Sequence, residues 1–204
     1  SWTMDVGQTE VFTSTTTGGT GSYTYSWTIG GSTTVVSTTN SYSYAATATS
    51  PSKVVLWLNV TDSATSKVTS EASATITVSS ALTAPTITAS ASSLDLGQTP
   101  SQSSSLSVST AASGGTGTYS YQWYVSHNGS SYSAISSTTY PSAATDAFVF
   151  YAGTNATGTY SFELYVTDSA SSPVTVQSNA VTVTVNPALT APTITASASS
   201  LDLG

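Results

Sequence analysis

Residues Ala81–Gly97 read ALTAPTITASASSLDLG, and residues Ala188–Gly204 repeat those seventeen letters unchanged. A looser repeat surrounds them. Met4-Asp5-Val6-Gly7-Gln8-Thr9 matches Leu94-Asp95-Leu96-Gly97-Gln98-Thr99, and the Gly18–Trp27 stretch GGTGSYTYSW matches GGTGTYSYQW at Gly114–Trp123. Leu58-Asn59-Val60-Thr61-Asp62-Ser63 matches Leu164-Tyr165-Val166-Thr167-Asp168-Ser169. Self-similarity at this spacing is the mark of a tandem array, and it dictates the division of the chain. Unit one spans 1–80, unit two spans 81–187, and 188–204 is a linker or strand belonging to a following domain or subunit.

Each unit reads as β structure throughout. In Tyr160–Val166 apolar and polar residues alternate, which points Phe162, Leu164 and Val166 to one face. Val181, Val183 and Val185 alternate with threonines in the same way. β-Branched residues are stiff at χ1 and suit a pleated surface. The Gly-Gly-Thr-Gly before each Tyr-x-Tyr-x-Trp run supplies the positive φ angles of a tight turn. No helical period is sustained, so short strands with regular turn signals predict a sandwich.

Gly-Gly-Thr-Gly-x-Tyr-x-Tyr-x-Trp, followed by Leu-x-Val-Thr-Asp-Ser and a closing Asn-Ala-Val-Thr-Val-Thr-Val strand, resembles the immunoglobulin-like or PKD-like repeats of large prokaryotic surface proteins. The Ala-Leu-Thr-Ala-Pro-Thr-Ile-Thr linker is similar to those of archaeal tandem arrays. The likeness covers both units. It implies two tandem immunoglobulin-like β-sandwich domains with a C-terminal extended strand, and a place at the cell surface or in an extracellular filament. Trp27-Thr28-Ile29-Gly30-Gly31 and Trp123-Tyr124-Val125 depart from the PKD pattern in lacking its acidic turn.

Composition narrows the function classes. Ser and Thr make up 82 of 204 residues, and charged residues only 5%, far below the usual quarter. Hydroxyls keep this surface wet and look the same at every pH, which suits an acidic or harsh exterior, or a glycosylated surface segment. With net charge −7 and two basic residues, Lys53 and Lys67, nucleic acid is excluded as a partner. There is no cysteine, hence no disulfide or thiolate chemistry. No apolar run is long enough to span a bilayer. The start shows no signal-peptide pattern, so any signal or anchor is expected to have been removed or to lie outside this stretch.

Candidate chemistry is sparse. Trp27 and Trp123 hold the strand position of a core tryptophan. Trp57 falls on the outer face of its strand, and Trp2 aligns with Ser92, so Trp2 and Trp57 are candidates for a subunit interface. Asp62 and Asp168 follow Val-Thr at a strand end, where an Asx-type turn is expected. Asp5, Asp95 and Asp202 lie in the Leu-Asp-Leu-Gly segments. Calcium needs six or more oxygens, and neither unit clusters enough acids, so no metal or cofactor is expected. His127 stands in Ser126-His127-Asn128-Gly129-Ser130 as a solvated loop residue without a nucleophile elbow or buried acid, which leaves no enzyme signature. Asn59, Asn128 and Asn155 head Asn-x-Ser/Thr sequons and are candidate glycan sites.

The ends of the repeat do not match. Ala84–Ser90 reads as the first strand of unit two, but Ser1 aligns with Ala91, so unit one has no such strand. Ala191, Pro192, Thr193, Ile194 and Thr195 repeat it beyond unit two. The expectation is a structural subunit of an extracellular filament, stalk or surface layer, assembled head to tail with itself through this strand. Against it stands a window from a longer array, in which the tail starts the next unit. Leu201-Asp202-Leu203-Gly204 would compete with Met4-Asp5-Val6-Gly7 for one position. The rival function is an adhesin or carbohydrate-binding surface module, for which the longer segment between Trp123 and Tyr160 is the place to look.

Overall fold

The structure is a computed structural model; it describes the chain except Thr49, Pro51, Thr154, Ala196 and residues 198–204. Unit one contains β1 (Trp2–Asp5), β2 (Thr9–Thr13), β3 (Tyr23–Ile29), β4 (Ser41–Ala45), β5 (Lys53–Asp62) and β6 (Thr69–Ser79). Its sheets run β1-β6-β5-β3 and β2-β4. Unit two contains β7 (Thr86–Ala89), β8 (Ser93–Asp95), β9 (Ser103–Thr110), β10 (Ser120–His127), β11 (Ser133–Ala134), β12 (Ala147–Tyr151), β13 (Gly158–Thr167), β14 (Thr175–Gln177) and β15 (Val181–Asn186), with a 3-10 turn at Pro141–Ala144. Its sheets run β11-β10-β13-β15-β8, with β14 also on β13, and β12-β9-β7.

Alternation along the strands builds a separate core in each unit. Met4, Trp27, Leu56, Leu58 and Ile76 centre the first; Leu106, Trp123, Phe162, Leu164 and Val183 centre the second. The register makes the units counterparts. Trp27 lies opposite Leu58, and Trp123 opposite Leu164. Phe12 pairs with Tyr42 where Leu106 pairs with Phe148. Each tryptophan ring leans on its neighbour's ring, Trp27 on Tyr42 at 6.3 Å and Trp123 on Phe148 at 6.2 Å. Each indole N–H donates to a threonine carbonyl, Thr39 or Thr145, at 3.0 and 2.9 Å. Buried indole N–H groups need such a partner.

Two facing sheets, a buried tryptophan on β3 or β10 and a parallel pairing of an early short strand with the last strand (β1 with β6, β8 with β15) define the architecture. The chain is all-β and folds as immunoglobulin-like β-sandwiches.

Candidate functional site

The two sandwiches differ at one edge. In unit two, β7 pairs antiparallel with β9 and puts Ile87 into the core at 2% exposure. Asn179, in the break between β14 and β15, accepts the Ile87 N–H at 2.8 Å and donates to the Ile87 carbonyl at 3.1 Å. β7 is thereby tied to both sheets and closes the sandwich. In unit one β2 pairs only with β4, and its other edge meets no strand among the described residues. A groove of about 490 Å³ opens there, between Phe12–Thr17 on one wall and Ser70–Ala74 of β6 on the other. Its floor is core: Trp27, Leu56 and Leu58. Core residues that unit two covers are less covered here. Val166 and Leu106 are both 0% exposed, whereas their counterparts Val60 and Phe12 are only half-buried. A strand edge above an apolar floor leaves both hydrogen-bonding groups and core surface unpaired.

The segment that matches β7 in sequence lies free. Leu189 is 92% and Ile194 94% exposed, and Ala191–Thr195 join no strand among the described residues. Their copies in unit two, Leu82 and Ile87, are 8% and 2% exposed. Trp2, 40% exposed, packs edge-on against Phe12 at 5.9 Å, and Trp57 is half-buried on the outer face of β5.

A second feature is the joint between the units. It is polar. The Gly115 N–H donates to the Ser80 carbonyl at 2.8 Å, and Ser171 N–H to the Thr3 carbonyl at 3.1 Å. Gln8 Nε2 donates to the Ser172 carbonyl at 2.6 Å, and the Ser172 hydroxyl donates to the Glu10 carboxylate. At its centre the Thr116 hydroxyl reaches Asp5 Oδ1 at 2.7 Å. Asp5 is 1% exposed and Asp168 4%. The backbone N–H groups of Thr116 and Val174 hold the Asp168 carboxylate at 2.9 and 2.8 Å. Asp5 Oδ2 is buried with no hydrogen-bond partner among the described residues. Burial pushes the Asp5 carboxyl up from 3.8 to about 6, with the neighbouring Asp168 carboxyl adding to the rise and the Thr116 bond opposing it. Burial also acts to raise Asp168, but the neighbouring Asp5 carboxyl and three backbone N–H groups outweigh it and hold Asp168 low. Burial and the facing carboxylate thus push the two pKa values apart, Asp5 up and Asp168 down.

The other candidate residues fall elsewhere. Asp62 and Asp168 do more than turn their own loops: Asp62 accepts from Val68 N–H at 2.9 Å and from Thr20 N–H at 3.1 Å, pinning the loop after the strand to the glycine turn. His127 is not a solvated loop residue. It ends β10, half-buried, with its ring stacked on Tyr160 at 4.3 Å, because the β10–β13 register places the two side by side. Asn59 is half-buried in the middle of β5, between β3 and β6. Asn128 is exposed at φ 50°, its Oδ1 accepting Thr159 N–H at 2.9 Å; exposed Asn155 donates to the Tyr151 carbonyl at 2.7 Å. Asp202 lies outside the described residues. Among the described residues no group of three or more His, Asp or Glu could hold a metal ion. The segment between Trp123 and Tyr160 carries a cleft of about 160 Å³ beside Tyr140 and Tyr151, which are 52% and 56% exposed.

Sequence reasoning singled out Ala84–Ser90 and its copy at Ala191–Thr195 from the repeat alone. It missed the joint, because Asp5 and Asp168 belong to different units and each unit alone is poor in acids.

No protein-family model matches the sequence, and no curated protein matches it. Among solved structures, an amphioxus IgVJ-C2 molecule aligns over 89% of this chain and 99% of its own, at 10% identity and TM-score 0.31. Murine CEACAM1b aligns over 79% and 85%, at 14% identity and TM-score 0.36. A fragment of protocadherin gamma B2, extracellular cadherin domains 3–6, aligns over 79% of this chain and 41% of its own, at 14% identity and TM-score 0.29. Among the described residues no helix is long and apolar enough to cross a membrane.

Proposed function

We propose that this chain is a non-catalytic structural subunit of an extracellular filament, stalk or surface layer, assembled head to tail by strand exchange. Residues Ala191, Pro192, Thr193, Ile194 and Thr195 of one copy enter the open groove of unit one in the next. One observation carries the reading: unit one has the walls and floor of the β7 slot but not the strand, and an identical copy of that strand stands exposed beyond unit two. In the groove Ile194 takes the place that Ile87 holds in unit two, and the main chain pairs with the free edge of β2, the usual chemistry of strand addition. The contact joins unlike surfaces and so propagates. In this reading the chain belongs with PKD-like tandem repeats of archaeal surface proteins, and its partner is itself. Exposed Asn128 and Asn155 are the better placed glycan acceptors; an intact mass above the bare 20.6 kDa is the expected result for native material.

The test is deletion of residues 188–204. The full chain is expected to form filaments by negative-stain microscopy, and the truncated chain to stay monomeric while unit two melts unchanged. Filaments from the truncated chain defeat the strand-exchange reading. The exposed tyrosines beside the small cleft of unit two favour a second reading, a carbohydrate-binding surface module. Saturable binding of the monomer on a glycan array is its signature.

A further inference from the structure

We propose that the loop end of unit one is a second assembly surface, which receives the Ser93–Asp95 edge of unit two from another copy of this chain and rebuilds the inner joint. The inference rests on head-to-tail assembly, but it concerns a contact separate from the strand groove.

The receiving half of the inner joint is the glycine turn Gly114–Gly117 together with the loop that follows Asp168. Unit one carries the same half in the same conformation. Asp62 grips Thr20 and Val68 N–H groups at 3.1 and 2.9 Å, as Asp168 grips those of Thr116 and Val174 at 2.9 and 2.8 Å. Ser63 Oγ accepts from Ser22 N–H at 3.0 Å, as Ser169 Oγ does from Thr118 N–H at 3.1 Å. The Tyr23 hydroxyl donates to the Gly18 carbonyl, as that of Tyr119 does to Gly114. Gly19 and Gly115 have φ of +71° and +66°, and a Cβ on Gly115 would press on both Asp168 and Leu82. In unit two Leu82 covers this turn. In unit one the matching spot is a depression of about 170 Å³ lined by Gly18, Gly19, Val60 and Val68, the size of hollow a leucine fills.

The giving half is repeated too. In unit one Asp5 stands on β1, with its backbone N–H donating to Gln8 Oε1 at 2.7 Å. In unit two Asp95 stands on β8, and its N–H donates to Gln102 Oε1 at 2.6 Å. β1 pairs in parallel with β6, and β8 with β15, so Asp5 and Asp95 end equivalent ladders. Thr3, which meets Ser171 in the inner joint, has its counterpart in exposed Ser93; Ser171 has its counterpart in exposed Thr65. Both halves of a working interface thus recur on the outer ends of the pair, with Asn186 Nδ2 holding Ser93 Oγ at 2.7 Å and Asp95 Oδ1 at 3.1 Å on the giving side. A heterologous contact of this kind repeats the inner geometry from copy to copy. Continuity with the observed joint selects a second copy as the occupant.

The absence of cysteine in the chain makes a clean test possible. In the inner joint Thr3 Oγ1 and Ser171 Oγ are 3.2 Å apart, a separation compatible with disulfide closure. The variant Thr3→Cys with Ser171→Cys is the control and is expected to close within one molecule. The full chain carrying Ser93→Cys with Thr65→Cys is expected to give a ladder of disulfide-linked oligomers on a non-reducing gel, collapsing on reduction. A closed control with no ladder overturns the inference. If filaments persist in that case, strand exchange stands without this contact; if nothing assembles, both readings fall. A ladder that survives Ile194→Asp upholds the inference and shows the strand to be dispensable.

Discussion

Unit one and unit two are the same sandwich completed to different degrees. The tryptophans, the glycine turns and the loop-pinning aspartates superpose role for role. What unit two has in addition is β7, and the consequence is visible across its core. Trp123, Leu106 and Val166 are each 0% exposed, whereas Trp27 keeps 5% and Phe12 and Val60 are only half-buried. With β2 paired only to β4 among the described residues, the core of unit one is tied together elsewhere. In unit one that tie is the long β5–β6 hairpin: β6 runs unbroken over the stretch where unit two has β14, the Asn179 break and β15. The intact strand supplies ladder hydrogen bonds, and the absent one leaves a docking place.

The largest expected effect comes from one substitution made in each copy of the repeated strand. Ile87→Ala removes a buried side chain held at 2% exposure, and is expected to destabilise unit two by about 2–4 kcal/mol. Ile194→Ala, in the identical sequence context, acts on a residue 94% exposed and is expected to leave monomer stability within about 0.5 kcal/mol. It should nevertheless weaken assembly strongly. Denaturant melts of the two variants, set beside sedimentation of each, separate the two roles. Equal destabilisation by both would mean that the tail folds back on its own chain.

The next effect concerns the joint and is read through pH. Asp5 is raised from 3.8 to about 6, so the folded, docked form binds more protons than the unfolded chain across that window. Stability is therefore greatest at the acid end and falls as pH rises from about 4 to 6. The cost above pH 6 is on the order of 2 kcal/mol. Asp62 and Asp168 are held low and act in the opposite sense, losing their contribution only in stronger acid. A near-flat profile, which so few titratable groups would suggest, is thus replaced by a maximum near pH 4. Asp5→Asn keeps an acceptor for Thr116 and offers Asp168 an N–H at every pH. It should raise the neutral-pH melting temperature by about 5 °C and leave the value at pH 4 unchanged. A wild-type profile flat between pH 4 and 7 by scanning calorimetry would refute the raised Asp5 carboxyl, and a drop in melting temperature with EDTA would put a cation at the joint.

How much of this was legible beforehand depends on the range of the interaction. The core strands could be read because alternation is local: Phe162, Leu164 and Val166 declare their face within five residues. The recurring strand could be read because the repeat is verbatim, so matching Ala84–Ser90 with its copy at Ala191–Thr195 needs no structure. The joint could not. Asp5 and Asp168 stand far apart in sequence, and only the turn of one unit onto the other buries them together. His127 was misread for a similar reason. Its Asn-Gly neighbours signal a turn, but the β10–β13 register carries the strand one residue further and sets the ring on Tyr160. Asn179 gave no signal, since its work depends on a strand break that its own sequence does not announce.

The smallest effect tests whether the two glycine turns differ only in having a neighbour. The Thr116 hydroxyl reaches across the joint to Asp5 at 2.7 Å and lies 3.1 Å from Ser79 Oγ. Thr116→Ala takes from Asp5 Oδ1 its hydrogen-bond partner, and a lost bond to a carboxyl of this kind costs about 1–2 kcal/mol. Thr20 occupies the same place in the same turn of unit one, but it is exposed and no second unit stands over it in the isolated chain. Thr20→Ala is expected to change monomer stability by less than about 0.5 kcal/mol. The contrast reverses on assembly if Asp95 of another copy docks there: Thr20→Ala then raises the critical concentration several-fold while Thr116→Ala leaves it nearly unchanged. Critical concentration and melting temperature, measured on the same two variants, place each threonine at an inner or an outer joint. If Thr20→Ala alters neither, the loop end of unit one is an ordinary solvent-facing turn.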